Sequence, residues 1–468
     1  MKLSFSSKYI LDRDFEIIKN NDNVLCIDYN NVNWFRTNDT GYKILQLCAG
    51  KLTLEEVIKK ISIETGFECD FLKKNFEEFL ENAIESGLII EKEKNKVIIE
   101  EVPSGYSDIW IHVTDKCNLK CPFCYSNSGS FGEQKLDLEN ILNFLVQIPL
   151  EQRSSVLISG GEPFLYENLS ELVKSLHKME FQDITVISNG TVGEEVYREV
   201  IPYIHTLQIS VDGTNSDIHD LSRGEGSFHK MIKKFELAKN LDVNRLVISF
   251  TPTKFNIMDL PNIPKFALEN RIDAIHITRL LPVGRGAHNE ESIAPTTSQL
   301  SESMTKFIEN IKKVNTSIHY KREMDEFFVD ETEKSNYINV TMGTDVSSKI
   351  LFRHKRKGCS LGDGTISIGY DGFFYPCPAL QYEEFRLGQL ERCNFEDIVY
   401  QSRNTAKQYS VDNIEACTDC KMKYFCGGGC RAIARSSTGS MLGKDPLCNR
   451  YQESMYEIMW NAPKVTNT

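Results

Sequence analysis

Alternating apolar positions and amphipathic helical patterns share the first hundred residues of the chain. Residues 23–35 (NVLCIDYNNVNWF) predict a β-hairpin, because two apolar runs flank a polar turn. Thr53 and Glu56 form a capping box that begins a helix, and the apolar spacing over 71–84 predicts a second helix. We therefore expect residues 1–95 to form a winged-helix-like α+β domain.

After a charged, turn-rich linker over 91–108, β-branched runs alternate with helical patterns over 109–285. Six of these runs predict strands, at 109–114, 156–160, 184–188, 206–211, 246–251 and 274–278. Strands that alternate with helices form a parallel sheet, so the fold class is α/β, with six βα units that make a partial barrel. Polar and glycine-rich residues follow several of these strands, and we expect them to converge at the carboxyl ends.

The remainder of the chain is less regular. Residues 286–358 give few signals and are expected to form a mainly helical bridge. Residues 365–380 predict a hairpin around Asp371 and Gly372, inside a cysteine-rich segment that spans 359–455. Long periodic patterns are rare in that segment, so we expect bound metal to stabilise its fold.

Charge and composition restrict the class of partner and the cellular location. The 468 residues correspond to roughly three domains. Acidic residues outnumber basic ones by 66 to 54, and residues 1–95 carry 13 basic and 17 acidic residues, which opposes binding to nucleic acid phosphates. No apolar run approaches the roughly 20 residues that cross a bilayer, and the N-terminus lacks a signal-peptide pattern. We expect a cytoplasmic protein with no nucleic acid or membrane partner.

The fourteen cysteines are unevenly distributed and point to metal sites. A cytosolic chain keeps its thiols reduced, so these cysteines are expected to be metal ligands or buried thiols rather than disulfides. Three of them lie within eight residues: Cys117, Cys121 and Cys124. Eight more lie between 359 and 448. The other three are scattered near the N-terminus and are expected to be small buried residues: Cys26, Cys48 and Cys69.

The first group of cysteines follows the first strand of the α/β region with a C-x3-C-x2-C spacing. Each iron of a fully ligated [4Fe–4S] cube takes one protein ligand, so three thiolates leave one iron open. A structural zinc site is the alternative, but zinc needs a fourth nearby ligand, which this loop lacks. The spacing therefore favours a cluster with an open coordination position.

This spacing, together with the GGEP sequence at 160–163 after the second strand, resembles the radical S-adenosylmethionine (SAM) superfamily. The resemblance implies that SAM chelates the open iron through its amino and carboxylate groups. It also implies that one electron from the cluster cleaves SAM to methionine and a 5′-deoxyadenosyl radical, which takes a hydrogen atom from the substrate. An external electron donor, such as a flavodoxin or ferredoxin, would reduce the cluster. No residue of the chain is assigned as a catalytic acid or base.

The resemblance also implies which residues form the SAM pocket: Tyr125, Gly160, Gly161, Glu162, Pro163, Ser188, Asn189, Ser210, Asp212 and Arg223. The two glycines let the backbone approach the SAM ammonium, and Glu162 offers it an anionic acceptor. Tyr125 resembles the aromatic residue that lies against the adenine, and Arg223 resembles the arginine that pairs with the SAM carboxylate. The residues that end the third strand are candidates for the ribose hydroxyls. Ordinary capping of strand ends is the alternative role for these residues, for the residues that end the fourth strand and for Arg223.

The C-terminal cysteines show a C-x12-G-x4-C pattern, followed by C-x2-C-x5-C-x3-C and one further cysteine. This arrangement resembles the SPASM domain of radical SAM enzymes that modify peptides. That domain carries two auxiliary [4Fe–4S] clusters, so three clusters are implied in total. The ligands of the first auxiliary cluster would be Cys359, Cys377 and Cys430. The ligands of the second would be Cys417, Cys420, Cys426 and Cys448.

Seven thiolates cannot fully ligate two cubes that together need eight. Our hypothesis is that the first auxiliary cluster has an open iron. That iron would bind a cysteine thiolate of the substrate and hold its sulfur near the carbon radical. Two alternatives remain open, in which Cys393 is the eighth ligand or structural zinc ions replace both clusters.

The combination of an N-terminal module, a radical SAM barrel and a SPASM domain resembles the maturases of ribosomally synthesised peptides. In that family the leader of the precursor peptide pairs with a strand edge of the N-terminal module. The subtilosin and thermocellin type maturases, which form the thioethers of sactipeptides and ranthipeptides, are the members that the chain resembles. The resemblance implies an oxidoreductase that joins a peptide cysteine sulfur to a carbon.

Other functions use related domains. SPASM enzymes that generate formylglycine in sulfatases lack the N-terminal module, so residues 1–95 argue against that function. A maturase that forms carbon–carbon cross-links is compatible with the same sequence. A redox sensor that reads DNA fails to explain the GGEP sequence and Arg223, and it conflicts with the acidic N-terminal module.

Overall fold

The computed structural model describes residues 5–11, 15–48, 52–85, 88–91, 108–319, 338–342, 355–362 and 364–461. Most of the predicted linker lies outside these residues. Much of the second half of the predicted helical bridge also lies outside them. The fold is described below for these ranges.

The N-terminal part has, in chain order, β1 (Tyr9–Leu11), β2 (Glu16–Asn20), β3 (Asn23–Asp28), β4 (Asn33–Asn38), α1 (Asp39–Leu47), α2 (Leu54–Thr65), α3 (Cys69–Glu85) and β5 (Ile89–Glu91). Strands β2, β3 and β4 form an antiparallel sheet, and β1 pairs with β5. The predicted hairpin and both predicted helices are confirmed. The capping box is complete, because Thr53 Oγ1 accepts from Glu56 N at 3.3 Å and Glu56 Oε2 accepts from Thr53 N at 2.7 Å.

The central sheet contains all six predicted strands, each within two residues of its expected ends: β6 (Asp108–His112), β7 (Ser155–Ser159), β8 (Asp183–Ser188), β9 (Thr206–Ser210), β10 (Arg245–Phe250) and β11 (Ala274–Ile277). Each strand pairs in parallel with the next one along the chain. Most of their apolar residues are buried, as expected for strands that are covered on both faces, whereas Trp110, Leu157 and Ile187 are half-buried. The α/β fold class is confirmed.

Helices alternate with these strands and cover the sheet: α4 (Leu138–Leu145), α5 (Leu169–Lys178), α6 (Glu194–Val200), α7 (Ser216–Arg223), α8 (Ser227–Asn240), α9 (Ile263–Glu269), α10 (Arg285–Ile293) and α11 (Thr297–His319). Helix α5 shows why they pack there. Its Leu169, Leu172, Val173 and Leu176 recur at helical spacing, and each is fully buried in the main core.

The sheet extends beyond the six predicted strands through β12 (Asn339–Met342), β13 (Thr365–Ile368), β14 (Phe373–Tyr375) and β15 (Gly388–Gln389). Strand β12 joins one edge and adds a strand to the bridge that the sequence predicted to be mainly helical. The predicted hairpin is confirmed as β13 and β14, with Gly372 at a φ of 78° in the turn. Strand β13 also pairs in parallel with β6, so the cysteine-rich segment begins as part of the barrel sheet.

After β15, the described residues form four α-helices: α12 (Phe395–Gln408), α13 (Lys423–Cys426), α14 (Arg431–Thr438) and α15 (Cys448–Asn461). The segments between these helices carry Cys417, Cys420 and Cys430, whereas Cys426 ends α13 and Cys448 begins α15. Arg431 is 1% exposed, and its guanidinium donates to Met441 O and Gly443 O at 3.0 Å. A buried cation therefore orders loop carbonyls that no helix or strand satisfies.

The N-terminal sheet is buried on both faces. Along β3, Val24 and Cys26 pack with the helices of their own domain, whereas Leu25 and Ile27 pack with α13 and α15. The four residues are 0% exposed. Tyr29 reinforces the second contact, because its hydroxyl lies 2.9 Å from the hydroxyl of Tyr456 in α15. The N-terminal domain therefore shares an apolar core with the cysteine-rich segment.

Candidate cluster and cofactor site

The three-cysteine loop leaves the carboxyl end of β6 and folds back over the barrel. Cys117 N donates to Gly129 O at 2.9 Å, which closes the base of the loop. Cys121 is 8% exposed and packs with Phe123 and the neighbouring Cys124 in a small apolar cluster. Burial raises the pKa of the Cys117 thiol to about 12 and also raises the pKa of Cys121.

The donor set of this loop fits an iron–sulfur cluster. Thiolates are the ligands of such clusters, and binding to iron offsets the cost of ionising a buried thiol. Within the described ranges, no three His, Cys, Asp or Glu side chains meet closely enough to hold a single metal ion. The ligands of a cube bind separate iron atoms and so stand farther apart than the ligands of one ion. Three thiols on one loop, of which Cys121 is buried and Cys117 and Cys124 are half-buried, match that requirement.

Gly160 and Gly161 pack directly against the start of the three-cysteine loop. Gly160 has a φ of 129°, and a Cβ on Gly161 would lie 2.2 Å from Lys116 O. Gly161 N donates to Thr114 O at 2.6 Å. A side chain at either position would clash with the backbone of the loop, so these two glycines allow the loop to pack directly against the end of the second strand.

Glu162 joins the second and third strand ends. Its carboxylate accepts from Ser188 Oγ at 2.8 Å, from Asn189 N at 2.7 Å and from Phe164 N at 3.2 Å. The side chain is 0% exposed, and this burial raises the pKa of Glu162 to about 7. Pro163 follows and begins a short 3-10 turn that is itself buried. Glu162 thus holds the third strand end beneath the loop.

Asn189 extends this network to the first cysteine. Its Nδ2 donates to Asn118 Oδ1 at 2.9 Å and lies 3.8 Å from Cys117 Sγ. Its Oδ1 accepts from Thr191 N at 2.9 Å. The sequence predicted that the strand ends converge, and these contacts bring the first three together.

The fourth strand end carries a buried ion pair. Ser210 ends β9 half-buried, and Asp212 follows it with 0% exposure. Arg223 Nε donates to Asp212 Oδ2 at 2.5 Å, and Asp212 Oδ1 accepts from Thr251 N at 3.1 Å. The guanidinium of Arg223 lies 5.6 Å from the ring centre of Phe123. The pair therefore faces the three-cysteine loop.

Sequence reasoning missed Phe123 and concentrated on Tyr125. Phe123 is 9% exposed and lies between Cys121 and Arg223. The signal was an aromatic residue directly before the third cysteine. Tyr125 instead contacts His112 on β6, with 2.9 Å between the Tyr125 hydroxyl and His112 Nε2.

His112 connects the loop to the cysteine-rich segment. It is 0% exposed, and burial lowers its pKa to about 4, so the ring is neutral. Its Nδ1 lies 2.5 Å from Gln381 Nε2 and 3.4 Å from Ser367 Oγ in β13. Since Tyr125 contacts the other ring nitrogen, one buried histidine links both cysteine regions.

Three cysteines assigned to the first auxiliary cluster share an apolar cluster with residues such as Leu380 and Phe385: Cys359, Cys377 and Cys430. Cys430 N donates to the buried carboxylate of Asp445 at 2.7 Å. Cys393 lies elsewhere, because it packs on the main core of the barrel. Its Sγ would lie 2.5 Å from a Cβ on Gly388. The structure does not bring Cys393 into the apolar cluster of the other three.

Four cysteines are assigned to the second auxiliary cluster: Cys417, Cys420, Cys426 and Cys448. Charges of other cysteines in this set raise the pKa of Cys417, Cys426 and Cys448. In each case burial is the larger cause. Gln452 Nε2 donates to Cys420 Sγ at 3.3 Å. Cys420 and Cys426 also pack on the apolar cluster that contains Leu25 and Ile27. The second cysteine set therefore adjoins the N-terminal domain.

The scattered cysteines follow the sequence expectation in two cases of three. Cys26 is 0% and Cys48 is 1% exposed, and burial raises the pKa of each thiol to about 12. Cys69 begins α3 and is only half-buried, so the prediction is wrong there. The start of a surface helix leaves its side chain partly open to solvent.

Family models match three separate parts of the chain. Residues 111–272 match the radical SAM superfamily, and residues 25–89 match coenzyme PQQ synthesis protein D (PqqD). Residues 359–421 match the iron–sulfur cluster-binding domain called SPASM. The matched ranges fall on the barrel, on the N-terminal domain and on the cysteine-rich segment.

Individual curated proteins are similar to most of this chain. The mycofactocin maturase MftC of Mycolicibacterium smegmatis is 27% identical over 72% of this chain and 81% of its own length. An AdoMet-dependent heme synthase of Methanosarcina barkeri is 24% identical over 72% of this chain and 94% of its own length.

Solved structures share the fold. Streptococcus suis SuiB bound to S-adenosylmethionine covers 94% of this chain and 99% of its own, with a TM-score of 0.53 and 16% identity. SuiB has also been solved with its precursor peptide SuiA. The structure of anSMEcpe with bound AdoMet covers 76% of this chain and 98% of its own, with a TM-score of 0.56 and 19% identity.

Among the described residues, no helix combines the length and the apolar character that crossing a membrane requires. The parallel sheet, the three-cysteine loop and the matched domains agree with one another. The chain therefore carries a radical SAM domain over residues 111–272, together with a PqqD-related domain and a SPASM domain.

Proposed function

We propose that this protein modifies a ribosomally synthesised precursor peptide and forms thioether links from peptide cysteines. The observation that carries the proposal is the arrangement of the three-cysteine loop over buried Glu162 and the Asp212–Arg223 pair. In this proposal the loop thiols would hold a [4Fe–4S] cluster, and the residues at the strand ends would bind SAM. Such a cluster, when bound, supplies the electron that cleaves SAM to a 5′-deoxyadenosyl radical.

The ten residues of the predicted SAM pocket keep their roles in this proposal with one refinement. Both carboxylate oxygens of Asp212 accept hydrogen bonds from protein groups. We therefore infer that Asp212 orients Arg223 rather than contacting SAM itself. Arg223 uses Nε for this pair, and a guanidinium has four further N–H donors for the SAM carboxylate.

The N-terminal domain supports a peptide substrate. Residues 25–89 match PqqD, and SuiB, which shares the fold, binds a precursor peptide. SuiB covers 94% of this chain and anSMEcpe covers 76% of it. The difference is close to the length of residues 1–95. Both faces of the N-terminal sheet are covered, so a leader peptide would add to an exposed strand edge.

The cysteine count supports the proposal of thioether formation. The seven cysteines assigned to the auxiliary clusters leave one iron without a protein ligand, and Cys393 packs away from Cys359, Cys377 and Cys430. In the proposal a substrate thiolate takes that position. Each link removes one hydrogen atom from the acceptor carbon and one proton from the thiol, and the remaining electron passes to the auxiliary cluster. The peptide therefore loses two hydrogens per link.

The test uses anaerobically reconstituted protein, dithionite, SAM and synthetic cysteine-containing peptides that correspond to short reading frames next to the gene of this chain. We expect 5′-deoxyadenosine, a loss of two hydrogens per link and peptide cysteines that resist alkylation. The matched control replaces Cys117, Cys121 and Cys124 with alanine and should give no 5′-deoxyadenosine. Loss of two hydrogens with cysteines that still alkylate would support carbon–carbon linking instead. An absence of 5′-deoxyadenosine from the unaltered protein would refute the whole proposal.

A further inference from the structure

A segment that follows the last of the six predicted strands forms hydrogen bonds to the backbone of the three-cysteine loop. It lies after β11, at the start of α10, and no motif in the sequence drew attention to it. Arg285 Nε donates to Cys121 O at 2.8 Å, and Arg285 Nη1 donates to Ser128 O at 2.7 Å. The backbone N of Arg285 donates to Cys124 O at 2.9 Å. One residue therefore bonds the loop before, at and after its third cysteine.

Neighbours of Arg285 add to this contact. Asn289 Nδ2, one helical turn later, donates to Pro122 O at 2.9 Å. Gly284 has a φ of 58°, and a Cβ there would lie 2.6 Å from Cys124 O and 2.5 Å from Tyr125 O. Glycine is thus required for the segment to approach the loop this closely. The loop is held through its backbone carbonyls, which leaves its thiols available.

The guanidinium suits this task because its donors form a rigid, planar fork. Cys121 O and Ser128 O stand seven residues apart, and the fork of Arg285 bridges them across the bend that contains Cys124. A lysine ammonium in the same place would keep the charge but lacks the planar spread that spans both oxygens. Arg285 is half-buried, so water competes only partly for these bonds.

We propose that Arg285 is a positioning residue that holds the three-cysteine loop in the shape that leaves one iron open to SAM. The inference rests on the proposed role of the loop as a cluster site, but it does not depend on the peptide or on thioether chemistry. Loop position matters because a misplacement of about 1 Å in a reacting geometry costs as much as about 100-fold in rate.

The test compares Arg285→Gln, Arg285→Lys and Asn289→Ala with the unaltered protein. Arg198→Gln is the matched control, because Arg198 is an exposed arginine that pairs with Glu194 on α6. Each reconstituted protein is assayed for iron content, for the change that SAM causes in the EPR signal of the reduced cluster, and for 5′-deoxyadenosine formed with dithionite alone. The variant that lacks the three loop cysteines supplies the EPR signal of the auxiliary clusters for subtraction.

We expect Arg285→Gln to lose at least about tenfold in 5′-deoxyadenosine formation, with a weakened EPR response to SAM. Arg285→Lys should remain within about threefold of Arg285→Gln, because it keeps the charge without the fork. Asn289→Ala removes one carbonyl contact and should lose about two- to fivefold. Arg198→Gln should match the unaltered protein in all three measurements.

Three results would overturn the inference. Rescue by Arg285→Lys would show that charge alone matters. Unchanged EPR response and rate in Arg285→Gln would show that the bonds are dispensable. If Arg285→Gln does not fold, a normal EPR response to SAM in Asn289→Ala would likewise show that the hydrogen bonds to the loop are dispensable. A failure of the unaltered protein to form 5′-deoxyadenosine would instead refute the proposed function, so the two failures are distinguishable.

Discussion

Ile27 provides the sharpest test of how the N-terminal domain is attached. Its side chain is 0% exposed and lies in the apolar cluster that contains Phe425, Met455 and Met459. Truncation of a buried isoleucine to alanine costs about 2–5 kcal/mol, because apolar contact is lost and a cavity remains. Since Ile27 points away from its own domain, we assign this cost to the contact with α13 and α15.

A loss of 2 kcal/mol raises the population of the undocked state by about thirtyfold. We therefore predict that Ile27→Ala speeds amide hydrogen exchange in α15 by at least that factor, measured by mass spectrometry on anaerobic, cluster-loaded protein. Val24→Ala is the control, because Val24 is equally buried on the opposite face of β3. Val24→Ala should speed exchange in α1, α2 and α3 more than in α15. Exchange in α15 within about threefold of the unaltered protein in Ile27→Ala would refute the docking argument.

Three further predictions follow from the same contacts. Asp212→Asn should cost about 3–5 kcal/mol, because it leaves the guanidinium of Arg223 buried without its partner, and thermal melting with SAM titration would detect the loss. Cys393→Ala should keep the full iron content, since its thiol packs against Gly388; a loss of iron would identify it as a ligand. Deletion of residues 1–95 should expose Phe425 and its neighbours, so light scattering should reveal self-association as well as weaker peptide binding.

Local patterns were sufficient for the regular elements of this protein. Six strands, the N-terminal hairpin and the capped helix α2 follow from residues that contact one another within a few positions of the chain. The cysteine spacings likewise place thiols on one loop, because three residues within eight cannot separate far. These features needed no knowledge of the rest of the molecule.

Contacts between distant segments were decided only by the tertiary structure. The VLCI run of β3 showed a strand that is apolar on both faces, but not that α15 covers the second face. Cys393 looked like an eighth ligand by count, yet its backbone carries it into the barrel core. Arg285 and His112 carry no local signal, because their partners are backbone carbonyls and side chains that only folding brings near. Whether a side chain reaches a given backbone carbonyl depends on where folding places it, so such hydrogen bonds leave no recognisable pattern in the sequence.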